Sequence, residues 1–134
     1  MFKTGLAMID AEHAFTRARR GARLRRLKRT RGELPVFKRP PAGNGLHGIR
    51  EIPVDAIAGT LEPSRAVQFD AAFRPRRNSA RRRWESIWIA EERGVTLPPI
   101  SVVAVGDAYA VRDGHHRVSV ARARGAFAID AVIA

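Results

Sequence analysis

The chain has 134 residues, no cysteine, and 25 lysines and arginines against 13 aspartates and glutamates, a formal charge of +12. Domains usually run to about 100–150 residues, so this length predicts one domain with an appendage and argues against a two-domain enzyme. Without cysteine there is no disulfide framework, no cysteine-ligated zinc or iron–sulfur centre and no thiol nucleophile, and a cytoplasmic location is expected.

The positive charge is concentrated at the start. Residues 1–50 hold 13 cations against three acids, whereas residues 51–134 hold 12 against ten. The stretch before Asp10 is too short and broken for a secretory signal, and no apolar run approaches the roughly 18–20 residues of a membrane span. The spacing predicts a first helix capped by Asp10, with Glu12 in its first turn and Gly32 beyond its end. Met8, Ala11, Phe15, Ala18 and Ala22 share one face, while Ile9, Leu24 and Leu27 fall opposite, so half the helix is expected to dock and half to project. Arg17, Arg19, Arg20, Arg23, Arg25 and Arg26 point in all directions, which suits phosphate-driven, sequence-nonspecific contact with DNA; a solvated charged helix is the plainer alternative. Pro35, Pro40, Pro41, Gly43, Gly45 and Gly48 mark a linker, dividing a basic arm and linker (1–45) from a domain (46–134).

Ile49 to Ile57 reads as one short strand interrupted by Pro53, which favours a strand start or an edge, with Gly59 turning the chain after it. Pro63 opens a second helix or turn. Arg81, Arg82 and Arg83 belong to an acid-free run that begins at Arg74 and forms a second candidate DNA contact. Asn78 or Ser79 can cap a third helix that carries Trp84, Ile87 and Trp88 inward and ends at Gly94. Residues 100–105 and 108–111, joined by Gly106-Asp107, predict a β-hairpin with a type II′ turn. Asp113 is expected to cap a helix running to Gly125, and residues 127–133 make the last strand. The order predicts an α+β fold.

A strand that ends in Asp113-Gly114 and runs straight into a helix puts backbone N–H groups at a helix N-terminus, where open donors and the macrodipole favour an anion. Arg117 adds a fork-shaped cation at the same mouth. An ordinary turn and cap would look the same. His115 and His116 are candidate general bases or phosphate contacts. Adjacent side chains at a helix start diverge by about 100°, so they do not make a natural metal pair, and no metal site is expected.

Taken together, Ile-Pro-Val-Asp-Ala-Ile (52–57), Glu-Pro-Ser-Arg…Phe-Asp (62–70), Pro-Ile-Ser-Val (99–102), Tyr-Ala-Val (109–111) and Asp-Gly-His-His-Arg (113–117) resemble the ParB/sulfiredoxin superfamily over residues 49–134. The resemblance implies a small mixed sheet with a β-hairpin and packed helices, and a site for CTP or ATP, with any Mg2+ carried by the nucleotide. It also implies Gly114, His115, His116 and Arg117 as the phosphate turn, with Ser64 and Arg65 as an upstream box. His115 stands where such ParB proteins carry glutamate and where sulfiredoxin carries its reactive cysteine, so sulfinic-acid repair is excluded. A phosphotransferase, NTP hydrolase or nuclease would need an acid, and Glu51 and Glu62 are the nearest in sequence order. The leading expectation is a nucleoside-triphosphate-binding module working with DNA. The alternatives are an enzyme of this superfamily, or a basic adaptor that has lost nucleotide binding.

Overall fold

The computed structural model describes residues 5–27, 33–38 and 48–134. Its elements are α1 (Ala7–Leu27), β1 (Ile49–Pro53), β2 (Ile57–Thr60), α2 (Pro63–Ala66), α3 (Arg81–Glu92), β3 (Ile100–Val105), β4 (Ala108–Asp113), α4 (His115–Ala123) and β5 (Ala128–Ile133). The five strands form one mixed sheet in the order β1-β5-β3-β4-β2. β1 pairs with β5, and β3 with β4, antiparallel; β3 with β5, and β2 with β4, are parallel. The fold class is the expected one: α+β, with a small mixed sheet, a hairpin and packed helices, preceded by a basic N-terminal helix.

The run expected to be one strand is two. A 3-10 turn at Val54–Ala56 divides it, and the halves lie on opposite edges of the sheet. Pro53 has no N–H to donate, so it closes β1 at the outer edge opposite Ala128, a position that tolerates proline. Gly59 does not turn the chain. It lies inside β2 opposite Ala110, and its missing Cβ makes room for residues 33–38: an added Cβ would stand 2.3 Å from the Pro35 carbonyl oxygen. That segment is held by Phe37 N–H to Thr60 O (2.8 Å) and Thr60 N–H to Pro35 O (2.9 Å), and Leu34 is buried in the core. Pro40, Pro41, Gly43, Gly45, the boundary near residue 46 and Gly32 lie outside the described residues.

The core has two parts, bridged by α4. On the sheet side, Ile52, Ile57, Phe69, Phe73, Ile100, Val102, Val111 and Ala131 pack with Val118; on the outer side, Val120 packs with Trp84, Trp88, Phe15, Ala11 and Ala14. The Trp84 indole N–H donates to Ser119 Oγ at 2.8 Å, so its polar edge is satisfied inside this second cluster. The buried face of α1 is thus Ala11, Ala14, Phe15 and Ala22, with Ala18 packed beside it; Met8 is exposed, and Asp10 lies within the first turn of a helix that starts at Ala7. Neither Asn78 nor Ser79 caps α3. Both belong to a 3-10 turn, Asn78–Ala80, that feeds into it. The hairpin forms as expected, with Gly106 at φ +60. No described helix is long and apolar enough to cross a membrane.

Candidate functional site

β4 delivers the chain to the start of α4 through one residue. Gly114, not Asp113, occupies the cap position, with φ +110, and no side chain caps the first turn. Only glycine fits there: the backbone is left-handed, and a Cβ would stand 2.5 Å from Ile100 Cγ2 in the core. Asp113 instead turns outward and pairs with Arg117 at 3.4 Å.

Around this turn a shallow cavity of about 60 Å³ is lined by Arg65, Arg83, Ile87, Asp113, Gly114, His115, His116 and Arg117. Arg65 reaches it from α2, and Arg83 from the first turn of α3. Of the residues expected in the phosphate site, Gly114, His115, His116, Arg117 and Arg65 converge. Ser64 is exposed on α2 outside the cavity. The two acids expected nearby are absent from it: Glu51 stands opposite Asp130 at the β1 edge, in a neighbouring cleft, and Glu62 precedes α2, exposed to solvent. Arg117 is already engaged. Its guanidinium donates to the carbonyls of Pro98 and Pro99 as well as to Asp113, clasping the loop before β3 onto α4.

Both histidines are buried and neutral. His115 Nε2 shares a hydrogen bond with Thr60 Oγ1 at 2.6 Å; the same hydroxyl lies 3.2 Å from Val111 O and accepts from the Glu62 N–H (2.8 Å). Burial, then the charges of Arg65 and His116, push His115 down to about 4, against a small opposing effect of Asp113. Burial, then Arg83 and Arg65, push His116 down to about 4 as well. Phe69 walls off both rings, stacked on His115 and edge-on to His116. His116 Nδ1 is buried with no hydrogen-bond partner. Thr60, Phe69 and the placing of Arg83 in this cavity were not anticipated from sequence. Thr60 lies 55 residues from His115, and no local spacing connects them.

The expected nucleic-acid arginines divide in the same way. Arg17 and Arg20 are exposed on α1, and Arg82 and Arg83 on α3. Arg19 donates to the Arg76 carbonyl, and Arg81 to Thr16 Oγ1 (3.1 Å) while lying over the Phe15 ring, so both fasten α1 to the domain. Arg23, Arg25 and Arg26 continue the helical backbone of α1, and their side chains lie outside the described residues. No group of three or more potential metal ligands occurs among the described residues.

No protein-family model and no curated protein matches the chain. Among solved structures, the crystal structure of sulfiredoxin from Arabidopsis thaliana is similar, with 20% sequence identity, 65% of this chain and 84% of that chain covered, and a TM-score of 0.48. At that identity and TM-score the likeness assigns neither activity nor ligand.

Proposed function

We propose that the protein is a nucleoside-triphosphate-binding module, taking CTP or ATP with Mg2+ carried by the nucleotide, that works with or near DNA through its basic N-terminal arm and the Arg74–Arg83 run. The observation that carries the nucleotide half is the meeting of uncapped first-turn N–H groups and the guanidiniums of Arg65 and Arg83 around Gly114. Open donors at a helix start attract an anion, and Arg65 and Arg83 supply charge. The cavity suits one phosphoryl group, so the end of the phosphate chain is what it grips and the nucleoside lies outside.

Binding fits this geometry better than turnover. Among the described residues Asp113 is the one carboxylate lining the cavity, and it is held by Arg117. Calorimetry with CTP and with ATP tests the reading. Arg65→Ala is the informative variant, because the side chain makes only a 3.5 Å contact with Gln68 and its loss spares the fold. A tenfold or greater weakening is expected, and no heat from either nucleotide with the unaltered protein would end the proposal.

A further inference from the structure

A second cleft, of about 640 Å³, opens between α1 and the end of α4, a size typical of ligand pockets. Its α1 wall includes the small residues Ala14, Ala18 and Gly21; Arg74 lies across Gly21 so closely that an added Cβ would be 3.0 Å from its Cδ and Nε, and its guanidinium pairs with buried Asp70 at 3.5 Å. Arg17 is exposed at the rim. At the far wall Arg122 is already committed to the carbonyls of Val54 and Ile57 and to the face of Phe73. The carbonyl ends of α4, which would repel an anion, are closed by Gly125 N–H to Arg122 O (3.1 Å) and Ala126 N–H to Ala121 O (2.9 Å).

Phe127 also lines this cleft. The residue is 83% exposed, yet its carbonyl is fixed by the Val54 N–H at 2.9 Å, so an exposed aromatic side chain is held on an anchored backbone. A lone exposed apolar side chain is ordinary; one set beside the exposed guanidinium of Arg17 in a cleft of nucleotide size is a stacking platform with a phosphate contact next to it. We propose that this cleft holds one unpaired nucleotide of a single-stranded nucleic acid, its base stacked on Phe127 and its phosphate met by Arg17. Asp55, in the same wall, provides an acceptor for a base amino group. A duplex keeps its base faces stacked internally and gains nothing from Phe127. Arg20, exposed on α1, carries the strand onward from Arg17.

This inference rests on the nucleic-acid half of the proposed function. Anisotropy of a labelled 12-nucleotide single strand and of its duplex tests both, using wild type, Phe127→Ala and Phe127→Trp. The single strand is expected to bind more tightly than the duplex. Phe127→Ala should weaken it about tenfold and leave the duplex unchanged, and the indole introduced by Phe127→Trp should be quenched by the bound strand. Equal single-strand affinity of Phe127→Ala and wild type, or no quenching in bound Phe127→Trp, overturns the site while duplex binding keeps the broader reading. No binding of either nucleic acid overturns both.

Discussion

Gly114 concentrates the constraints on the nucleotide site at a single residue. A side chain there meets Ile100 and demands a left-handed backbone, so Gly114→Val is expected to cost about 2–4 kcal/mol from overpacking and strain together, a fall of roughly 10 °C or more in thermal unfolding. Loss of nucleotide binding in that variant would report the fold as much as the site. The histidines give a cleaner signal. Both are held near 4 in the folded protein against about 6.5 when unfolded, so the unfolded chain takes up protons first as pH falls. Their contribution is complete above about pH 6.5 and is lost as pH falls toward 4. In His115→Gln the decline of melting temperature between pH 6.5 and 4 should be shallower, and an unchanged slope would contradict the assignment. An anion in the cavity favours the protonated rings, so CTP or ATP affinity should rise several-fold from pH 7 to pH 5.5 in calorimetry. A flat profile would separate the histidines from the ligand.

Among the elements, α1 changes most in meaning between sequence and structure. Its alanine and phenylalanine face was legible as a helical stripe, but the strength of its docking was not, because Phe15 finds its partner Trp84 nearly seventy residues away. The rings meet edge to face at 5.5 Å in a fully buried cluster, and Phe15→Ala is expected to destabilise by about 3–5 kcal/mol in denaturant unfolding. A value under 1 kcal/mol would show that α1 is a detachable arm. The hairpin and α4 were readable because Gly106, Gly114 and Gly125 punctuate local apolar patterns. The division of residues 49–60 between two sheet edges was not, since each half is short and its pairing partner, β5 or β4, comes later in the chain.

At the scale of the whole molecule, two charge clusters that are separate in sequence become neighbours. Arg19 bonds to the Arg76 carbonyl, Arg74 crosses Gly21, and Arg81 reaches Thr16, so the Thr16–Gly21 stretch of α1 lies beside the start of the Arg74–Arg83 run. Duplex affinity should therefore fall steeply with salt. Engagement of four phosphates by such a surface gives a log–log slope of about −3.6, more than a hundredfold between 50 and 200 mM, measurable by anisotropy. A slope near zero would mean that the basic surface is solvated and idle. Sequence by itself determined the class of the fold, its hairpin, the glycine turn before α4 and the excess of cations, because each depends on residues close together in the chain. Only the tertiary structure decided which cations remain available and which are spent. A guanidinium's role depends on the carbonyl or ring it meets, and for Arg19, Arg81, Arg117 and Arg122 those partners come from distant segments whose approach no local pattern encodes.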